Sequence, residues 1–174
     1  MSAPKSAPPA FGFLTVIEQA EWGWAGGYLV VNTGGRPFEF HCTVPVKPSR
    51  AQEILYGPTL KPYLYGEQIG QALLSKAKLE PLVVFVDEVA ALTLREFISA
   101  PVVLVEGSKD GHSDTLHKFT LGKQRAAIEN RFSSDQIIVT DQWHAHGQSL
   151  DLVEPFDRIR SALEEAHKSA RPAA

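Results

Sequence analysis

The chain has 174 residues, 44% of them hydrophobic and 21% charged, which is the composition of one ordinary globular domain. Its formal net charge of −3 provides no overall positive field, so it disfavours nucleic acid or an anionic membrane as a partner held by charge alone. A single cysteine, Cys42, excludes an internal disulfide and favours a reducing compartment, and we therefore expect a soluble, cytoplasmic protein.

The two ends of the chain predict flexible tails around one α/β domain that spans residues 11–168. Residues Met1–Ala10 and Ser169–Ala174 are small, polar or proline-rich and lack the periodicity that builds a core. The first tail is not followed by the continuous apolar stretch that a signal peptide requires. No apolar run approaches the roughly 20 residues of a membrane-spanning helix.

The first part of the domain predicts three antiparallel strands, Phe11–Glu18, Gly27–Asn32 and Arg36–Val46. Aromatic and β-branched residues are enriched in these segments, and glycine-containing turns separate them. The two-residue period of a strand predicts one buried apolar face and one polar face for the third strand. The apolar face is formed by Phe38, Phe40, Cys42 and Val44.

The residues after Pro48 predict helices and then an alternation of strands and helices. Ser49 and Gln52 form a capping-box pattern, and a second helical segment follows over Leu60–Lys78. Continuous apolar strands joined by a helix indicate parallel pairing. The predicted elements are a strand Leu82–Val86, a helix Val89–Ile98, a strand Pro101–Glu106, a helix Leu121–Phe132, a strand Gln136–Thr140 and a last helix near Pro155. The expected fold is a mixed α/β (α+β) domain, in which an N-terminal antiparallel three-stranded meander continues into βαβ units with helices packed on the sheet.

The apolar strand that ends in Glu106-Gly107 resembles the strand-end glutamate motif of Toprim nucleases and primases. The resemblance implies that Glu106 acts as a general acid or base and that a later strand ends in an Asp-x-Asp pair that holds magnesium. A strand over Ile137–Thr140 would present Asp141 as the first aspartate, whereas Trp143 occupies the position of the second. A lone carboxylate is a poor magnesium site, because hard cations prefer several oxygen ligands.

Three histidines suggest a second candidate site, a metal centre in loops at the carboxyl ends of strands. His112 lies in the polar segment after the Glu106 strand, and His144 and His146 would share one side of an extended backbone. Three such ligands and a water would suit zinc. The alternative is that these are exposed loop histidines, because the short His-x-His spacing guarantees no convergence.

An acidic pair, Asp87-Glu88, ends the apolar strand Leu82–Val86 and could be catalytic. Adjacent residues at a strand-to-helix junction point in different directions, and acidic residues stabilise the start of a helix. We therefore favour helix capping for this pair.

Two tryptophans, Trp22 and Trp24, lie in the connection between the first two predicted strands and are candidate partner-binding residues. Tryptophan in a loop buries a large area at small entropic cost when it meets a partner. The alternative is that both indoles fold back over the sheet.

No catalytic constellation is complete in the sequence, so the leading hypothesis is a small binding or assembly module with a protein partner or self-association. The alternative is a metal-dependent hydrolase or nuclease with a degenerate Toprim-like site that uses Glu106, Asp141 and the neighbouring histidines. The sequence identifies no cofactor and leaves open whether the protein is an enzyme.

Overall fold

The computed structural model describes residues 5–107 and 114–170, and it contains a mixed sheet covered by helices on both faces. The sheet has seven strands. They are β1 (Phe11–Gln19), β2 (Gly23–Val31), β3 (Pro37–Cys42), β4 (Val84–Val86), β5 (Val102–Val105), β6 (Leu116–Leu121) and β7 (Gln124–Glu129). The predicted mixed α/β class and the antiparallel N-terminal meander are confirmed.

Helical turns of several kinds connect the strands. The α-helices are α1 (Arg50–Tyr56), α2 (Leu60–Pro62), α3 (Ala72–Lys76), α4 (Asp135–Gln142) and α5 (Glu154–Ala170). Turns of π-helix occupy Tyr63–Gln71 and Trp143–Gly147, and 3₁₀ turns occupy Gly57–Thr59, Val89–Glu96 and Asn130–Phe132. The predicted capping box is present at α1, where Ser49 and Gln52 bond reciprocally. None of the helices in residues 5–107 and 114–170 is long and apolar enough to cross a membrane.

The strands lie in the order β3-β2-β1-β4-β5-β7-β6. Strand β1 pairs with β2 antiparallel on one side and with β4 parallel on the other, and β4 pairs with β5 in parallel. The β6–β7 hairpin completes the sheet through an antiparallel pairing of β7 with β5. Strands β2 and β3 are therefore added on one side of β1. After the long helical crossover, β4 is added on the other side of β1, and the remaining strands follow outward from β4.

Alternation along the strands divides the core into two layers, one on each face of the sheet. On the face that we call the α5 face, Phe13 packs against Phe85 of β4 and against Phe156 of α5, with ring centroids 5.2 and 5.3 Å apart. On the opposite face, which we call the α3 face, Leu14 and Val86 pack beneath the π turns, α3 and the 3₁₀ turns Val89–Glu96. Both layers exclude water, which is the main source of stability for a domain of this size.

Two predicted elements near the C-terminus are wrong. The predicted helix Leu121–Phe132 is the turn and second strand of the β6–β7 hairpin, and the predicted strand Gln136–Thr140 is the helix α4. Gly122 allows the tight hairpin connection, because its φ of 58° lies in the left-handed region that favours glycine. Pairing with β5 then holds the Ala-rich segment of β7 extended.

The predicted buried face of the third strand is also wrong. Phe38 and Phe40 are 42% and 39% exposed, and Cys42 is exposed as well. The reason is that β3 is an edge strand, which helices cover only in part. On its other face, Glu39 accepts backbone N–H bonds from Lys78 and Leu79 at 2.9–3.1 Å.

The segments predicted as tails contribute to the described structure at both boundaries. Ala10 is fully buried, and its carbonyl accepts a hydrogen bond from the Leu82 N–H at 2.8 Å. At the other end, α5 continues to Ala170, and the Ser169 hydroxyl donates to the Glu165 carbonyl.

Two adjacent glycines on β2 let helices approach both faces of the sheet. A methyl group on Gly27 would lie 2.4 Å from Ile159 Cγ2 of α5. A methyl group on Gly26 would lie 2.1 Å from Ile69 Cγ2 on the other face. Both distances are far below van der Waals contact, so no larger residue fits without displacing a helix.

The Gly27→Ala variant should be less stable than the parent protein by about 1–3 kcal/mol, the usual cost of overpacking a core. Gly34→Ala is the matched control, because a methyl group there lies 3.5 Å from its nearest neighbour, Asn32 Oδ1. Chemical unfolding of both variants measures the difference. Equal stability of the two would show that α5 does not pack on β2 in this way.

Candidate functional site

The border between β1 and β4 is the point at which the chain reverses its direction of progress across the sheet. In open α/β sheets, ligands bind in the crevice outside the carboxyl ends of parallel strands at such a switch point. The parallel pairing of the two strands ends here, at Leu14 of β1 and Val86 of β4, while β1 itself continues to Gln19. The topology alone therefore directs attention to the residues that follow the paired segments.

The strand register brings Thr15 and Asp87 together at this point. Phe13 pairs with Phe85 and Leu14 pairs with Val86, so one further step places Thr15 beside Asp87. The Thr15 hydroxyl lies 2.8 and 2.7 Å from the two carboxylate oxygens of Asp87. Thr15 is buried and the Asp87 side chain is only 13% exposed, so both polar groups lie largely out of water.

Helix α5 supplies a cation that covers the Asp87 carboxylate. Phe156 anchors the helix on the sheet, and Arg160 lies one turn further along. The Arg160 guanidinium donates through Nη2 to Asp87 and through Nη1 to Asp157, the latter at 2.9 Å. Its side chain is 42% exposed, so the same guanidinium faces solvent. Asp87 thus has a buried hydroxyl on one side and a partly exposed cation on the other.

Burial raises the pKa of the Asp87 carboxyl above its ordinary value. The Thr15 hydroxyl and the Arg160 guanidinium oppose that rise in pKa, and the neighbouring Glu88 carboxylate adds to it. Thr15 carries a single hydroxyl proton and can donate to only one carboxylate oxygen at a time, whereas a protonated Asp87 can donate to Thr15 in return. The site therefore accommodates both protonation states of Asp87.

Further carboxylates surround the end of the β1–β4 pair on the α3 face. Glu88 forms an ion pair with Lys61, with Nζ 3.3 Å from Oε2. Burial raises the pKa of the Tyr65 hydroxyl, and the carboxylates of Glu88, Glu18 and Asp87 add to that rise. Residues 5–107 and 114–170 nevertheless contain no group of three or more His, Cys, Asp or Glu side chains that could hold a metal ion.

The interpretation of Asp87-Glu88 as a helix cap is wrong. Glu88 stands at the N-cap of the 3₁₀ turns Val89–Glu96 but makes no side-chain capping bond, and Asp87 bonds instead to Thr15 and Arg160. The sequence did contain a signal for this pair of residues: in each strand, one polar residue follows two apolar residues on the same face. Thr15 follows Phe11 and Phe13 in alternation, and Asp87 follows Val83 and Phe85.

The structure does not place Glu106 and Asp141 at the ends of two strands, as the Toprim-like motif requires. Glu106 does follow β5, where its carboxylate is nearly buried and lies 3.5 Å from Lys118 Nζ. Alternation places it on the α3 face with Leu104, opposite to the face of Asp87. Asp141 is an exposed residue on α4 and not a strand-end residue, because the segment that carries it is helical.

The predicted histidine centre is not assembled among the residues that the structure describes. His144 and His146 are exposed on the π-helical turns Trp143–Gly147, so the extended backbone that was to align their rings is absent there. His112 lies outside the described residues.

The two tryptophans of the β1–β2 connection fold back onto the protein. Trp22 is half-buried and its ring lies 4.3 Å from that of His167 on α5. Trp24 belongs to β2 itself, pairs with Val46 through an isolated bridge and packs against the α3-face core. Neither indole projects from a loop tip.

Comparison with known proteins finds structural likeness at low sequence identity. No family model matches the chain, and no curated protein matches it. A Ciona intestinalis Endonuclease V in complex with a 23mer DNA containing inosine is 12% identical, with a TM-score of 0.44 and 72% of each chain covered. A Bacillus subtilis Endonuclease V is 13% identical, with a TM-score of 0.38 and coverage of 64% of this chain and 49% of that one. A Marinitoga piezophila Argonaute in complex with guide RNA is 12% identical, with a TM-score of 0.33 and coverage of 68% and 22%.

These comparisons correct the leading hypothesis drawn from the sequence. Two of the three structures are endonucleases by name, and two contain nucleic acid. Those names do not agree with the expectation of a non-catalytic protein-binding or assembly module, and they agree better with its alternative, a hydrolase or nuclease. At these identities and TM-scores, no residue role passes from those proteins to this chain.

Replacement of Asp87 by Asn should change how stability depends on pH. The pKa of Asp87 in the folded protein lies above its value in the unfolded chain, so between these two pKa values the folded state binds more protons. Stability of the parent protein therefore falls as pH rises through that window, which begins near the ordinary aspartate pKa of 3.8. The free energy of unfolding of Asp87→Asn minus that of the parent should increase with pH across it.

The control for this measurement is Asp157→Asn, which removes a largely exposed carboxylate that contacts the same arginine. Its difference from the parent should change little with pH. A curve for Asp87→Asn that is flat, or that slopes the other way, would contradict the raised pKa.

Proposed function

We propose that the protein is a hydrolase of phosphodiesters, with nucleic acid as the substrate class and the surface around Asp87, at the carboxyl end of the paired segments of β1 and β4, as its active site. The observation that carries the proposal is the buried Asp87 carboxylate at the switch point, held between Thr15 and Arg160. A shielded carboxyl of raised pKa beside a cation is an arrangement suited to acid–base chemistry. Stability alone does not explain the Asp87–Arg160 ion pair, because well-packed apolar side chains in its place would stabilise the fold equally well.

The substrate class follows from the partly exposed cation beside Asp87. Arg160 contacts Asp87 while its side chain remains 42% exposed, so an anion in solvent can reach the guanidinium. The planar donor fork of arginine matches two phosphate oxygens at once. Lys61 places a second cation beside Glu88 at the same end of the sheet. Both cations are paired with carboxylates, so a phosphate binds them by displacing Asp87 or Glu88 and not through the field of the whole chain, whose net charge is −3.

Binding of a phosphate would prepare Asp87 to act as a general acid. A phosphate that draws the Arg160 guanidinium toward itself removes the cation that favours the charged carboxylate, so the pKa of Asp87 rises and the carboxyl takes up a proton. Water then attacks the phosphorus, the bond to the leaving oxygen breaks, and Asp87 gives its proton to that oxygen. The attacking water releases its proton to solvent, and Thr15 keeps the carboxyl oriented.

The metal-dependent part of the sequence-based alternative has no complete ligand set in the described part of the chain. Glu18, Asp87 and Glu88 are all near enough to Tyr65 to raise its pKa, yet they do not form a group that could hold a metal ion. Arg160 already occupies one oxygen of Asp87. The proposed chemistry therefore uses Asp87, Arg160 and water.

A hydrolysis assay on bis(p-nitrophenyl) phosphate, single-stranded DNA and single-stranded RNA tests the proposal, each substrate being assayed with Mg²⁺ and with EDTA. Asp87→Asn should lower kcat by about 100-fold or more, the usual contribution of a general acid. The rate of the parent protein should fall as pH rises past the pKa of Asp87, because only the protonated carboxyl donates.

The matched control is Asp141→Asn, which neutralises an exposed aspartate on α4 and should retain the parent rate. Thermal unfolding of both variants separates loss of chemistry from loss of structure. The proposal fails if no substrate is hydrolysed in either buffer, or if folded Asp87→Asn is as active as the parent.

A further inference from the structure

A cavity of about 500 Å³ lies on the α3 face, at the end of the parallel strands opposite to Asp87. Its walls come from the end of the helical segment at Leu74 and Ser75, from Leu79–Pro81 before β4, and from Phe97–Ala100 before β5. The cavity therefore opens at the amino ends of the two parallel strands. Its volume is in the range of small-molecule binding sites.

Tyr28 of β2 lines this cavity and presents an unsatisfied polar atom. The residue is fully buried, and its hydroxyl has no hydrogen-bond partner among the residues that the structure describes. The ring lies directly over Gly12, where a methyl group would come within 2.5 Å of the hydroxyl oxygen. The absence of a side chain at Gly12 is therefore what makes room for this hydroxyl in the core.

An unpaired buried hydroxyl is costly, because it gives up its bonds to water and receives nothing in return. The penalty is about 1–3 kcal/mol, whereas phenylalanine would fill the same space without it. Burial raises the pKa of Tyr28, and the nearby Glu39 carboxylate adds to the rise, so the hydroxyl stays protonated and acts as a donor. Because Tyr28 also lines a cavity of ligand size, an acceptor oxygen of a molecule bound there could satisfy this hydroxyl.

We infer that the Tyr28 cavity is a binding site for an uncharged small molecule with an apolar body and a carbonyl or hydroxyl oxygen that accepts a hydrogen bond from Tyr28. Phe97, Ile98 and Leu79 supply apolar wall, which suits a flat or aromatic body. Exposed Ser99 at the rim offers a further hydrogen bond, and Ser75, whose hydroxyl donates to the Ala72 carbonyl, can accept one. The carboxylate of Glu80 stands at the same rim and disfavours an anionic ligand.

Three probes of one size and different charge test the inference: benzamide, benzoate and benzylammonium. Each is titrated into the parent protein while amide chemical shifts are followed by NMR. Benzamide should bind most tightly and should shift the amides of Ser75, Leu79 and Ser99, which surround the cavity. Failure of benzamide to shift these amides, or tighter binding of either charged probe, would overturn the inference.

The variant Tyr28→Phe removes only the hydroxyl and should weaken benzamide binding about tenfold, the effect of one hydrogen bond in a shielded site. The variant itself should be at least as stable as the parent, because it loses an unpaired polar atom. Unchanged affinity in Tyr28→Phe would show that the hydroxyl does not bond the probe, and the inference would be wrong.

The second variant, Ser99→Trp, places a large side chain at the exposed rim and should block the cavity without touching Tyr28. Benzamide binding should be lost in this variant while the fold is kept, as judged by thermal unfolding. Retained binding would place the probe elsewhere. Neither outcome depends on hydrolysis at Asp87, so the inference and the proposed function can fail separately.

Discussion

The parallel pairing of β1 with β4 is the contact on which the rest of the structure depends. Phe13 contacts Phe85 across this pair and also contacts Phe156 of α5, so one side chain links the strand pairing to the position of the helix. Because side chains alternate between faces, a slip of one residue would send every apolar side chain of a strand to the wrong layer. The apolar core therefore fixes the register, and the register in turn fixes Asp87 beside Thr15.

The fold class could be predicted from the sequence because its strongest signals are local. Apolar alternation and glycine-rich turns identified the meander, and the continuous apolar runs that contain β4 and β5 indicated parallel pairing. The errors fall where the local signal is weak and a distant partner decides. The segment of β7 contains Ala126-Ala127-Ile128, which suits either a helix or a strand, and it is extended because Ala127 pairs with Leu104 of β5.

The candidate site could not be predicted for a related reason. Asp87 is conspicuous in the sequence as the polar end of an apolar strand, but the Thr15 hydroxyl that binds it lies 72 residues away. Arg160 approaches from a third element, a further 73 residues along the chain. Without the strand order, Asp87 and Glu88 look like any acidic pair at the start of a helix. The Toprim-like interpretation failed for the same reason, since it required a strand at Asp141 where the chain forms a helix.

The adjacent glycines of β2 have a mechanical consequence for the whole domain. At Gly26 and Gly27 neither face of the strand carries a side chain, so Ile69 on one side and Ile159 on the other are separated by little more than backbone. Elsewhere, a layer of side chains on each face can absorb a small displacement of the helix above it. Here a displacement of α5 presses on β2 directly, and β2 presses on the helical segment beyond. Because Arg160 neighbours Ile159 on α5, and Tyr28 neighbours Gly27 on β2, we expect a displacement of α5 at Asp87 to reach the opposite layer through these two glycines.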